Sequence, residues 1–290
     1  NKNYQISGKT FDGSIIIDRM LKSDKGNNNI SKLFKNLNSN ITLDLTKTYI
    51  DKSSYLNKIH GNIVFKNNEL VDLNLKSNFP DNKKFNLTIK NDKSGEKVTT
   101  LFSGYAKPFV KKYEFIKGFE EGSLDFYSSK NNNISKSQLR IYDFKLKELP
   151  VLTKILTLAS LQGIADLLSG EGIRFNELEM NFSNKKNILT IDELYAIGPA
   201  ISILMNGYVE IGELVSLRGT LVPATTINKV VSSIPLLGNI LVGKKTGEGV
   251  FGVSFKIKGP PKKLKTTVNP IKTLTPRFIT RTLEKIKKQN

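Results

Sequence analysis

The chain predicts a mainly β fold, an antiparallel meander carrying two or three short apolar helices. Three observations lead there. Apolar and polar residues alternate in segment after segment of residues 1–148. The links between these segments are short and rich in Asn, Asp, Gly and Lys. Only Leu149–Leu168 and Ile227–Val242 are strongly apolar at helical spacing.

Ile41-Thr42-Leu43-Asp44-Leu45-Thr46 alternates, as do Val71-Asp72-Leu73-Asn74-Leu75-Lys76 and Phe85-Asn86-Leu87-Thr88-Ile89-Lys90. Gly122–Tyr127 and Leu139–Phe144 follow more loosely. Period two gives a sheet one apolar and one polar face. Lys66-Asn67-Asn68-Glu69, Pro80-Asp81-Asn82-Lys83 and Lys130-Asn131-Asn132-Asn133 read as hairpin turns. Short helices are expected in Lys22–Asn38 (Ile30, Leu33, Phe34, Leu37) and in Pro108–Gly118 (Phe109, Val110, Tyr113). The helix Leu149–Leu168 starts at Pro150 and stops at Gly170, with Gly163 as a point where it splits. Strands then resume at Phe175–Phe182, Ile188–Ile197, Ile201–Ile211 and Val215–Leu221. Ile227–Val242 is a second helical segment, broken by Pro235 and Gly238, and a hairpin follows at Lys244–Gly249. Val250–Lys258 and Leu264–Val268 are strands, and Pro276–Lys288 is a basic amphipathic tail. The expected division is 1–148, a continuous second portion 149–275, and the tail 276–290.

The formal net charge is +19, but only six of the 45 basic residues are Arg. Nucleic-acid sites favour the bidentate Arg fork, so no nucleic-acid partner is expected. Lys, Asn and Ile share AT-rich codons, a source of positive charge that needs no ligand. A Lys-rich exterior suits anionic lipid headgroups better. With no Cys, disulfides and thiolate metal sites are excluded. His60, the single His, reads as an ordinary half-exposed turn residue before Gly61, so no metal is expected. No run of 18 apolar residues occurs. The chain begins at Asn1 without Met, basic n-region or apolar h-region, and reads as a fragment or processed product lacking its anchor.

Catalytic patterns are missing. Gly247-Glu248-Gly249 and Gly170-Glu171-Gly172 lack the strand–loop–helix context of a phosphate loop and read as turns. Asp192-Glu193 and Glu120-Glu121 are adjacent carboxylates, which on a strand face opposite sides and cannot flank one bond. Gly-x-Ser-x-Gly does not occur. The chain is expected to be no enzyme and to need no cofactor.

Several segments resemble the C-terminal region of the bacterial AsmA-like proteins of the YhdP type. These are Leu158–Phe175 (LASLQGIADLLSGEGIRF), Gly219–Ala224 with Ile227-Asn228, Ile234–Gly238 followed by Gly243 and Gly247–Phe251, Val268-Asn269-Pro270, and Tyr142–Leu146 before Pro150-Val151-Leu152. Together they span about half the chain in the family's order. The first 140 residues match only in strand rhythm. The chain departs at Arg277, where the family tends to have Gly after Pro, and in its Lys-rich tail. The resemblance implies a sheet rolled lengthwise into an open groove, apolar inside and polar outside. It also implies an inner-membrane anchor outside this chain, a periplasmic location, and conduction of phospholipid towards the outer membrane. It attaches no catalytic residue.

A dozen strands at about 4.8 Å make a trough of about 55–60 Å, more than two short helices can cover. Its expected lining is Leu43, Leu45, Val71, Leu73, Leu75, Leu87, Ile89, Leu189, Ile191, Ile201 and Ile203. Leu152, Ile155, Leu158, Leu161, Leu236 and Leu237 are expected to cap it. Arg277, Phe278, Arg281 and Lys285 are expected to touch a membrane surface. Phospholipid, that surface and other envelope proteins are the expected partners. The competing expectation is a non-catalytic envelope scaffold whose interior is fully packed by its own side chains.

Overall fold

The structure, a computed structural model, describes residues 2–14, 38–110, 118–147, 149–224, 252–271 and 276–289. The expected helix at Lys22–Asn38 except Asn38 itself, the segment Ile227–Val242 with Leu236 and Leu237, and the hairpin Lys244–Gly249 lie outside the described residues. Fourteen strands form one sheet in sequence order, not closed into a barrel. They are β1 (Lys2–Asp12), β2 (Ser39–Tyr49), β3 (Tyr55–Lys66), β4 (Glu69–Asn78), β5 (Lys84–Asn91), β6 (Lys97–Ser103), β7 (Phe119–Asn131), β8 (Ile134–Leu146), β9 (Ile173–Lys185), β10 (Ile188–Ile197), β11 (Ile201–Glu210), β12 (Leu214–Pro223), β13 (Gly252–Gly259) and β14 (Lys265–Ile271). Among the described residues there are four short helices: α1 (Lys107–Val110), α2 (Pro150–Leu158), α3 (Gln162–Ser169) and α4 (Pro276–Gln289).

The meander is antiparallel in every pair whose register is resolved except the first, where β1 runs parallel to β2. The link between them, residues 13–38, is long enough for the crossover that a parallel pair requires. The turns use the residues the sequence marks: Asn67, Asn68, Asn82 and Asn132 all adopt positive φ. His60 sits within β3, not in a turn, opposite Asp44 and Lys76.

The chain divides into two compact units, residues 1–144 with 181–187, and residues 145–180 with 188–290. In the first, the turns between β2 and β3, β4 and β5, and β6 and β7 gather at one end. Ile50, Leu56, Phe79, Phe85, Phe109, Phe119 and Phe144 are all buried there. Phe85 stacks on Phe109 of α1 at 6.0 Å, Phe119 stacks on Phe144 at 5.3 Å, and Phe79 meets Tyr105 edge-on at 5.0 Å.

In the second unit the apolar helix splits at Ala159–Leu161, ahead of the expected Gly163. Ser160 takes a positive φ of 58°, which an α-helix cannot continue through. α2 packs against both α3 and β14.

Candidate functional site: an apolar lane and a clamped helix

Cross-strand register in the first unit turns isolated alternation into continuous rows. Ile6 lies beside Leu43, Leu43 opposite Gly61, Gly61 opposite Leu75, Leu75 opposite Leu87, Leu87 opposite Leu101 and Leu101 opposite Phe126. A second row runs Tyr4, Ile41, Ile63, Leu73, Ile89. Opposed residues share a face, so these rows form one apolar lane. The other face carries Thr42, Asp44, His60, Asn62, Asn74, Lys76, Thr88 and Thr100, with the Thr88 and Thr100 hydroxyls 2.6 Å apart.

The lane is not uniformly packed. Ile41, Leu45, Ile59, Leu73 and Ile89 are buried, whereas Leu43, Ile63, Leu75, Leu87, Leu101 and Phe126 remain half-buried. Tyr4 and Ile6 at its β1 end are 47% and 43% exposed. Gly61 is a necessity of the row. Its φ is +155°, and a Cβ there would run into the Asn74 carbonyl of the next strand. Such glycines and the two register shifts between β3 and β4 are devices that bend a sheet.

The predicted lining residues fall as follows. Leu43, Leu45, Leu73, Leu75, Leu87 and Ile89 share the lane face. Val71 is half-buried at a bulge, where Asp72 pairs with Val64 and Leu70 with Phe65, leaving it opposite no β3 residue. In the second unit Leu189, Ile191, Ile201 and Ile203 share a face with Leu217, Leu221, Val253, Phe255 and Ile257. That face is more tightly packed: Ile201 and Leu221 are wholly buried, and Phe255 lies over Gly219.

Of the expected cap, Leu152 and Ile155 are buried, Leu161 is half-buried, and Leu158 is 52% exposed. Leu158 is therefore not buried with Leu152 and Ile155. It sits on the outward side of α2, because buried positions recur at i, i+3 and i+4 (Leu152, Ile155, Leu156). The end closure that sequence reasoning missed is the aromatic group around Phe85, Phe109 and Phe144. Its signal was present as Phe residues flanking the turns.

The largest correction concerns the tail. Phe278 is fully buried, against Tyr195 and Val222, with its ring 6.0 Å from that of Tyr195. Arg281 is 12% exposed. Its guanidinium meets Glu193 at 2.7 Å, Glu284 at 3.0 Å and Glu179 at 3.3 Å. Arg277 binds Glu193 at 2.6 Å. The Tyr195 and Thr282 hydroxyls are 3.0 Å apart, and Thr282 donates back to the Phe278 carbonyl. α4 is thus docked on the sheet face opposite Ile203 and Leu221, and Phe278 and Arg281 are not free to meet a membrane. Arg277 keeps an exposed side chain, but its Nε is committed to Glu193. The side chain of Lys285 lies outside the described residues.

A bulge makes this clamp possible. Ile191 pairs with Gly207 and Leu194 with Met205, so β10 carries one extra residue between them. Strict alternation would put Ile191 and Glu193 on one face. The extra residue leaves Ile191 with Leu217 and turns buried Glu193 to the side of Tyr195, while Asp192 stays exposed. Burial works against the charge on Arg281, but its hydrogen bond to Glu284 and the charges of Glu193 and Glu179 outweigh that and raise its pKa. Burial also raises the pKa of the Tyr195 phenol, with the Thr282 and Ser202 hydroxyls opposing. Among the described residues no group of three or more His, Asp or Glu could hold a metal ion, and no helix is long and apolar enough to cross a membrane.

Compared with family models, curated proteins and solved structures, the chain matches none.

Proposed function

We propose that the chain binds and conducts lipid acyl chains along the apolar lane of its first unit, as a periplasmic groove of the AsmA-like type that moves phospholipid toward the outer envelope. One observation carries this reading: the row Ile6–Leu43–Gly61–Leu75–Leu87–Leu101–Phe126 crosses seven strands without a polar side chain, and its apolar members are only half-buried or exposed. Six strand spacings of about 4.8 Å make a lane of ~29 Å. Side chains that fill a closed core are buried outright, so a half-buried row supports an external apolar occupant. Each acyl CH₂ moved into it gains about 0.8 kcal/mol. No catalytic group is needed, and an occupant held by area alone can slide. The AsmA-like resemblance supplies the cellular setting.

The tight packing of the second unit around Ile201, Leu221 and Val253 favours the other reading, a packed envelope scaffold, for that portion. The two readings part in the first unit. A photoreactive residue at Leu43 or Leu87 should capture phospholipid during expression, detected by mass spectrometry of the purified protein, while the same residue at Thr42 or Thr88 should not. Equal capture on both faces, or no lipid at Leu43 and Leu87, would overturn the lipid reading and leave the scaffold.

A further inference from the structure

We infer that the end of the second unit carrying the β11–β12 and β13–β14 turns docks on an anionic membrane surface. Cations of the sheet face that also holds α4 meet lipid phosphates there, and apolar side chains at the tip enter the headgroup layer. The inference does not rest on the lane reading, which concerns the first unit.

β12, β13 and β14 contain no Asp or Glu. All four of their basic residues fall on one face. Arg218 lies opposite Lys256, and Lys258 lies opposite Lys265. This is the face turned away from Leu217, Phe255 and Ile257, and all four side chains are exposed. Two strand spacings and one two-residue step put them within a backbone area of about 10 by 7 Å. Like charges directly opposite one another destabilise a sheet. The described fold does not relieve them. Arg218 Nε donates to the Asn206 side-chain oxygen, and none of the four forms an ion pair with a described residue. Glu193 and Glu179 are held by Arg277 and Arg281 of α4. Lys262 and Lys263 in the β13–β14 turn add two exposed cations, so six face only Glu210 and Glu213 at the β11–β12 turn.

Apolar side chains stand beside this charge. Among its described residues the second unit has four exposed large apolar side chains: Leu158, Ile188, Tyr208 and Ile211. Three of the four lie at this end. Tyr208 is opposite Ser216, which is opposite Lys258, so the phenol shares a row with Lys258 and Lys265. Ile188 pairs with Glu210 one row further out, and Ile211 opens the turn after β11. α4 packs at the other end of this face, on Tyr195 and Val222.

This pairing of groups selects the partner. AT-rich codons raise Lys throughout the chain, but they do not set exposed Ile and Tyr beside it. Five of the six cations are Lys, a point charge that needs no fixed bidentate geometry and suits mobile phosphates. Tyr places its ring at the acyl boundary and its hydroxyl in water. A purely acidic protein surface would use the cations and leave Ile188 and Ile211 in water.

The chain contains no Trp, so one introduced Trp reports its own surroundings in the full chain. The wild type should float with vesicles of phosphatidylcholine and phosphatidylglycerol, and high salt or phosphatidylcholine alone should release it. Emission of Ile211→Trp should shift to the blue on these vesicles and be quenched by brominated acyl chains, while Leu158→Trp shows neither change. Lys256→Glu/Lys258→Glu should keep its circular dichroism and bind about tenfold more weakly or worse, and Lys256→Arg/Lys258→Arg should bind as the wild type. Flotation indifferent to phosphatidylglycerol, or equal quenching at positions 158 and 211, would overturn the inference. So would tighter binding to polyglutamate than to the vesicles, which would assign the patch to an acidic protein. Photocapture at Leu43 and Leu87 reads the lane separately, so either reading can fail alone.

Discussion

Nε of Arg281 lies 2.7 Å from Oε1 of Glu193, a contact off the hydrogen-bond direction and so chiefly electrostatic. This ion pair fixes the C-terminal helix. It joins the last helix to β10, and the same guanidinium reaches Glu179 on β9. Removing the cation leaves two largely buried carboxylates facing each other. Arg281→Met should therefore cost about 3 kcal/mol. Glu193→Gln should cost less, because Glu179 and Glu284 still hold the guanidinium. Denaturant melts measure both values. Hydrogen exchange should show α4 opening in Arg281→Met before the sheet does.

Two leucines two residues apart in α2 separate packing from exposure. Leu156 is wholly buried, and Leu158 is 52% exposed. Leu156→Asp buries an unpaired carboxylate and should cost several kcal/mol or abolish folding. Leu158→Asp should shift stability by no more than about 0.5 kcal/mol. Thermal melts of the pair give the comparison. Similar losses in both would mean that the outward face of α2 has a partner.

The sheet was legible because alternation is a local signal. Leu43, Leu75 and Leu87 announce their face through their immediate neighbours, and pairing then had to align them. Parallel pairing of β1 was not legible, since Tyr4-Gln5-Ile6-Ser7 alternates equally well in either direction. The clamp was hidden for a different reason. A helix with Arg277 and Arg281 beside Phe278 fits an anionic lipid surface and a carboxylate-bearing protein surface alike. Glu179 and Glu193 decide between them, and their approach depends on a bulge that alternation cannot announce. The helix break at Ser160 was likewise masked by Gly163, the better breaker by composition.

The turn before β5 should respond to acid. Tyr105 Oη donates to Asp81 Oδ2 at 2.6 Å, and this bond, with the Lys83 backbone N–H and charge, lowers the Asp81 pKa, while burial opposes it. A depressed carboxylate adds stability that is complete above its unfolded value of about 3.9 and is lost as pH falls through the folded value. Because Asp81 is substantially exposed the effect on global stability is small. The readable quantity is the titration itself. In Tyr105→Phe the Asp81 carboxyl resonance should titrate at higher pH than in the wild type, and Asp92, held by Ser94 and the Glu96 backbone, should not move. An unchanged Asp81 titration would mean that the phenol bond does not persist in solution.

Gly61 gives the sharpest test of how the lane is shaped. It sits between Leu43 and Leu75 in the row, at φ +155°, with the Asn74 carbonyl where a Cβ would go. Alanine there meets backbone, not a side chain that can rotate away, so β3 and β4 must separate or slip. Gly95 also has positive φ, at +82°, but nothing lies near its absent Cβ. Gly95→Ala should cost about 1 kcal/mol from backbone strain alone, and Gly61→Ala more than about 2 kcal/mol. The larger loss should come with weaker amide protection at Leu43 and Leu75, because the two ladders that meet at Gly61 are the ones forced apart. Equal costs at the two glycines would show that the close approach of β4 at Gly61 is not a constraint of the folded chain.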